Sequence, residues 1–483
     1  MHFHALPSLL ALTAAATLTA CASAPVAPDV PPAPPAADPA IAALQPAVDR
    51  ILAPAQADRG AFALLVELCD DIGHRLSGSA SLDKAIAWAV ASLQAAGQEQ
   101  VRTEAVTVPR WVRGAESLHL VEGGAPQALA MLALGGSIGT PAGGIQGEVL
   151  VVANEADLAK AGVAAKGRIV LFNHKMPPWT EQDGARYGPS VKYRIHGPRL
   201  AAQAGASAVL VRSVTAHGLQ TPHTGQTRYA ADVPLIPAAA VTGEAADLLE
   251  RLQVRGKKPV VRLTMAARMD GTAPSANVIA ELRGREKPDE IVVIGGHLDS
   301  WDVGQGAHDD GAGCVMAMQA LTVLRKLDLR PRRTIRVVLW TNEENGLAGG
   351  KQYAIDHKAE LANHVAALEA DSGGFRPVSV GIDMDDKAAQ KVAEKQLAAL
   401  LTLLQPMAKM LVIPDECGAD VSPLKALGVA AMELYTHGER YFDTHHTAAD
   451  TVDKVDPVEL AQSTAAMAAV AYVLAEWPGR LGK

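Results

Sequence analysis

Four apolar runs in the second half of the chain each end in side chains able to bind a metal or carry a proton. IVVIGG leads into His297 and Asp299, TIRVVLW into Glu343 and Glu344, and VAALEA into Asp371, while the loop after VAAMELY carries His445 and His446. Between the first two runs lies GAHDDGAG, in which Gly306 and Gly311 flank Asp309 and Asp310. Those glycines permit an irregular backbone, and the start of a following helix favours a nearby carboxylate. Two imidazoles and several carboxylates, with no candidate cysteine, form a nitrogen and oxygen donor set. Such a set suits zinc, and admits manganese or cobalt more readily than copper. One catalytic zinc usually takes about three protein ligands, so this many candidates point to two ions sharing a carboxylate, most naturally Asp309. The pattern by itself leaves one ion or two open. Taken singly, each residue has an ordinary use. Asp309 and Asp310 could be turn residues or caps, Glu343 and Glu344 solvated charge, and His445 and His446 a surface pair. Their joint occurrence at four strand ends carries the metal reading. HExxH, a phosphate-binding P-loop and a complete GxGxxG are absent from the sequence.

For these residues to converge, the runs before them must be neighbouring strands with their carboxyl ends on one side of a sheet. IVVIGG, a helix from Cys314 to Leu327, TIRVVLW, a second helix, VAALEAD and a strand near VAAMEL alternate along the chain. That alternation predicts a mostly parallel sheet flanked by helices. Leu82, Ile86, Ala89 and Leu93 recur at helical spacing, with Ser79 or Ser81 as cap and Gly97 as terminator. A final helix starts with Asp456 as cap, Pro457 at the first position and Glu459 as capping-box partner. Between residues 126 and 265 the pattern changes to short runs (GEVLVV, GRIVLF, SAVLVRS, VPLIPAAAV) separated by turns, which reads as a separate, mostly β module.

The stretch Leu6 to Ala20 is too short to span a bilayer comfortably and ends in small residues, as an export signal does. Leu18-Thr19-Ala20-Cys21 resembles a bacterial lipobox, which makes Cys21 the expected lipidated first residue of the mature chain, although only His2 and His4 precede the apolar run. From Ala24 to Ala40 the chain is rich in Pro and Ala and is expected to be an extended tether. The chain is thus expected to be exported, as a periplasmic or membrane-anchored bacterial lipoprotein that meets the membrane only through Cys21. Cys69, Cys314 and Cys417 show no CxxC spacing and are expected to be free thiols. With 483 residues, 49% of them hydrophobic, the chain is long enough for more than one compact unit. A formal net charge of −8 without a basic run argues against a nucleic-acid partner.

Long strings of the chain, CDDIGHRLSGS, GGSIGTP, GGHLDSWDVGQGAHDDGAG, WTNEENG, HHTAADT and DPVEL, occur in the order seen in a known family. They resemble the co-catalytic zinc exopeptidases, the family that includes bacterial aminopeptidases and glutamate carboxypeptidases. The resemblance implies an α/β fold, a mostly parallel mixed sheet flanked by helices, with an inserted, mostly β protease-associated domain. It divides the chain into a signal peptide (1–20), a tether (21–40), peptidase parts (41–125 and 266–483) and the insert (126–265). It further implies two Zn2+ per subunit, with His297 and Asp371 on one, Glu344 and His446 on the other, and Asp309 as bridge. Glu343 is the implied general base for a hydroxide shared by the two ions. Asp299 is the implied carboxylate orienting the His297 ring, and Asp420 a possible substrate-site residue. The expected substrate is a dipeptide or short peptide, a broad aminopeptidase being the alternative and a non-catalytic binding protein a remote one. A homodimer is implied as well. HDDGAG departs from the MDDGGG common in the family, placing His308 beside the bridge, where a solvated ring is expected.

Overall fold

The computed structural model describes residues 38–483. The signal segment, Cys21 and the tether as far as residue 37 lie outside the described residues. The last residues assigned to the tether are already structured, because Oδ1 of Asp38 accepts the Ala40 N–H at 2.9 Å and caps the short helix Pro39–Ala42.

The strands that carry the candidate site sit in one sheet of eight strands. Its order is Glu99–Val112, Arg268–Leu282, Arg333–Trp340, Lys287–His297, His364–Glu369, Ala430–Thr436, Pro377–Asp383 and Leu411–Pro414. Lys287–His297 runs parallel to both of its neighbours, and His364–Glu369 runs parallel to Ala430–Thr436. These four central strands therefore end on the same side. The outer pairings are mixed, with Arg268–Leu282 antiparallel to both neighbours and Ala430–Thr436 antiparallel to Pro377–Asp383. The central strands are apolar along their length because helices cover both faces. One face packs against Gln45–Ala57, Ala80–Ala95, Ala312–Lys326 and Pro457–Glu476, and the other against Ala348–Asp356.

Local signals place the helices as the sequence predicts. Ser79 Oγ accepts the Leu82 N–H at 3.2 Å, and Gly97 takes φ +73° just past the end of that helix. Asp456 caps the last helix by accepting the Val458 and Glu459 N–H groups at 2.7 and 3.3 Å. The expected capping box is not closed, because the Glu459 carboxylate pairs with Arg440 at 2.7 Å instead of turning back. Pro457–Glu476 is long and apolar enough to cross a membrane, but 83% of its most apolar window is buried inside the protein. It is the central helix of the core.

A second sheet of eight strands runs in the order Gln127–Ala128, Glu116–Glu122, Val260–Met265, Ile145–Val152, Ile169–Phe172, Ala208–Arg212, Ala238–Val241 and Met131–Ala133. It corrects two expectations. The segment begins with Glu116–Glu122, before residue 126, and it is α/β instead of mostly β. Its middle strands are parallel, and parallel strands need crossovers, two of which contain Glu155–Ala161 and Tyr187–Gln203, with Gly243–Val254 following the last of these strands.

Candidate metal centre

His297 is the last residue of its strand, and its backbone fixes where the ring points. Its N–H donates to Asp310 Oδ2 at 3.0 Å, while Nδ1 meets the backbone carbonyl of Asp299 at 2.9 Å. A ring that donates from Nδ1 leaves the Nε2 lone pair free for a metal. The expected orienting role of the Asp299 carboxylate is thereby corrected. Its Oδ1 stands 3.8 Å from the ring nitrogen and accepts the Glu343 N–H at 3.0 Å, and its Oδ2 accepts the Ser77 hydroxyl at 3.1 Å. The carboxylate stays beyond hydrogen-bond distance because the backbone carbonyl of the same residue already meets the ring nitrogen. Gly296 allows this packing, since a Cβ there would lie 2.3 Å from Asp310 Oδ2 and 2.9 Å from the start of the Ala312–Lys326 helix.

Asp309 lies between two groups of donors. Its Oδ1 is 3.2 Å from His297 Nε2, which in turn is 3.4 Å from Asp371 Oδ1. Its Oδ2 is 3.1 Å from His446 Nε2, which is also 3.1 Å from Glu344 Oε2. The structure brings His297, Asp309, Glu344, Asp371 and His446 together, with Asp309 turning one oxygen to each side. His445 stacks on His446 at 3.6 Å and stands 3.7 Å from Asp309 Oδ2, so it is a further possible donor on that side. Glu343 is half-buried beside this set. Asp420 is fully buried behind it, its Oδ1 accepting the Gly350 N–H at 3.2 Å and its own N–H donating to Glu369 Oε2 at 2.9 Å.

The electrostatics call for cations. Burial, and then repulsion by Asp309, push the Glu344 carboxyl up to about 7 against the pull of His446. Burial also holds Glu343 well above the usual carboxylate range, with Asp371, Glu344 and Asp420 adding to it and His297 opposing. Although burial lowers it, His446 is raised to about 9 by Glu344 and Asp309. Nε2 of His297, Oδ2 of Asp309, Oε1 of Glu344 and Oδ1 of Asp371 are buried without a hydrogen-bond partner. Orphaned buried lone pairs and crowded carboxylates are costly on their own and are satisfied by a bound cation. The residues fit zinc.

Sequence reasoning missed the residues that hold the Asp309 loop. Asp450 accepts the His308 and Asp309 N–H groups at 2.8 and 3.1 Å. Arg75, fully buried, donates to the carbonyls of Leu298, Gln305 and Gly306 at 2.7, 2.6 and 2.9 Å. Both lie in strings already singled out, HHTAADT and CDDIGHRLSGS, but nothing in residue type distinguishes a backbone clamp from a surface charge. His308 is not solvated as expected. Its ring is buried against Phe375 at 4.4 Å, Nδ1 accepts the Gly374 N–H at 3.1 Å, and burial lowers its pKa to about 4. Cys69, Cys314 and Cys417 are free, the last only partly buried.

Residues 277–471 match the model of Peptidase family M28. Carboxypeptidase Q of Mus musculus is 41% identical over 411 residues, covering 85% of this chain and 84% of the mouse protein. The chain belongs to peptidase family M28. The Rattus norvegicus carboxypeptidase Q is 42% identical over the same length, with 85% of this chain and 84% of that protein covered. A crystal structure of a peptidase M28 precursor from Shewanella amazonensis SB2B has a TM-score of 0.86 and 37% identity, covering 91% of this chain and 98% of that one. A zinc aminopeptidase from Bacillus subtilis shares the fold at a TM-score of 0.63 and 18% identity, over 88% of this chain and 96% of that one. This M28 member is a metalloexopeptidase.

Proposed function

We propose that this M28 peptidase is a two-zinc exopeptidase that hydrolyses dipeptides or short peptides, as carboxypeptidase Q-like enzymes are named to act on a free carboxyl end. The observation that carries the reading is Asp309, whose two oxygens face two separate donor groups. His297 and Asp371 would hold one ion and Glu344 and His446 the other. When bound, zinc supplies Lewis acidity toward a scissile carbonyl and makes a nearby water more acidic, with a pKa of about 7. Glu343 takes a proton from the attacking water and passes it to the departing amine. Its backbone is pinned by the Asp299 carboxylate, and a carboxylate is a group that can take up a proton and then release it. The N-terminal sequence further supports an exported enzyme, anchored to a bacterial membrane by a lipid at Cys21, and the family likeness supports a homodimer.

A panel of free dipeptides, N-acetylated dipeptides and chromogenic aminoacyl amides tests this reading. Cleavage of free and acetylated dipeptides alike is expected. Cleavage of the amides with no action on acetylated dipeptides would instead identify an aminopeptidase, and turnover of none would count against both.

A further inference from the structure

The two halves of the candidate centre are not built alike. On the His297 side, the ligand's own hydrogen bonds come from residues 295–314 and the main sheet, and the loop that follows is clamped by Arg75, which also lies outside the second sheet. The ring rests on the Asp299 carbonyl and the backbone N–H on Asp310. The His297 carbonyl takes the Cys314 thiol at 3.1 Å, and Ala370, next to Asp371, donates to Gly295 at 3.0 Å. The His446 side leans on the segment that carries the second sheet. Thr224 donates its N–H to the His446 carbonyl at 3.0 Å, and His446 Nδ1 lies 3.3 Å from the Thr224 carbonyl. Two residues along, Gln226 Oε1 accepts from Asn345, the neighbour of Glu344, at 3.1 Å.

His446 needs this support more than His297 does. Its backbone sits at φ +61°, a left-handed conformation that a non-glycine residue keeps only where the surroundings impose it. The imposing strap is itself rigid. Thr224 Oγ1 donates to the Ala133 carbonyl at 2.7 Å, and Gly135 donates to the Gly225 carbonyl at 3.0 Å, locking residues 224–225 to the segment leading out of the strand Met131–Ala133. The Nδ1 position also has Arg194 Nη1 at 3.2 Å. Only the Thr224 carbonyl can accept from Nδ1–H, the tautomer that leaves Nε2 to a metal.

We infer that the strap Thr224–Gln226 is a positioning device for one metal equivalent only, the one held by Glu344 and His446, while the other forms on the main sheet without it. The inference rests on the two-ion reading above. Substitution in the strap then separates the two equivalents. Gly225→Ala strains the strap, because φ is +135°, and its Cβ would lie 2.5 Å from the Arg194 guanidinium that also meets His446 Nδ1. Gln226→Ala removes the tie to Asn345 together with the side-chain bond from Nε2 to the adjacent Thr227 carbonyl at 3.1 Å, and introduces no backbone strain.

Metal-stripped full-length chain is titrated with Zn2+ against a chromophoric competitor, which reads each equivalent without any turnover. Two equivalents are expected for the wild type. Gly225→Ala is expected to weaken one of them by about 10–100-fold, the range for lost partners of metal ligands, and the other by less than about threefold. Gln226→Ala, with an unchanged melting midpoint of the stripped protein, is expected to act on the same equivalent to a smaller degree. Equal weakening of both equivalents in Gln226→Ala, or no change in either variant while the wild type still takes two, would overturn the inference and leave the two-ion reading standing. A wild type that takes a single equivalent would overturn both.

Discussion

Glu343 and Glu344 are adjacent and of one type, yet the fold gives them different work. Glu344 reaches His446, the ring that also meets Asp309 Oδ2, whereas Glu343 is half-buried with its N–H held by Asp299. Replacing Glu343 with Gln keeps the shape and removes the proton acceptor. Turnover is expected to fall by about 10^2–10^4-fold, with zinc content by elemental analysis unchanged. Asp309 makes a different prediction because it serves both sides. Asp309→Ala is expected to lower both zinc equivalents, while Asp371→Ala lowers only the one beside His297. Dialysis followed by metal analysis distinguishes them, and a selective loss in Asp309→Ala would remove it as the shared ligand. The residue types alone could announce a metal site here. They could not announce that Asp299 would hold His297 by its carbonyl, since that depends on how the chain turns after Gly296.

At the end of the sheet opposite the site, an element is held through a group that stays uncharged. His364 begins the strand His364–Glu369, its Nδ1 facing the Glu360 carbonyl at 3.2 Å and its Nε2 the Tyr353 hydroxyl at 2.9 Å. Burial lowers its pKa from 6.5 to about 4. The unfolded chain therefore takes up this proton first as the pH falls. Stability from the neutral ring is whole above pH 6.5 and is lost progressively toward pH 4, by about 2 kcal/mol at pH 5. Chemical denaturation at pH 7.5 and pH 5 should show that His364→Gln reduces this acid loss by about that amount. An equal loss in wild type and variant would assign the acid sensitivity elsewhere. At the start of the last helix, Asp456→Ala is expected to cost about 1 kcal/mol and to lower the melting midpoint, since two N–H groups lose their acceptor. That cap was readable because it is local. The capping-box partner was not, because Arg440, distant in sequence, competes for Glu459.

At the scale of the whole molecule, two sheets meet at one site and an N-terminal segment is expected to set its location. If Cys21 is the lipidated residue, the wild-type chain expressed in a bacterium should fractionate with membranes and Cys21→Ser should appear in the soluble fraction with its peptidase activity intact. Membrane association unaffected by the substitution would remove the anchor. The sequence by itself determined the alternation of strands and helices in the second half of the chain, the family and the set of candidate ligands, because apolar periodicity and short strings of ionisable residues act over a few positions. Tertiary structure alone decided the rest. It turned the two oxygens of Asp309 toward different partners and buried His308. It made the second-sheet segment α/β and placed Thr224 against His446 across 222 residues of chain. These outcomes depend on which backbone carbonyl or charge comes within about 3 Å of a side chain, a distance that only packing fixes.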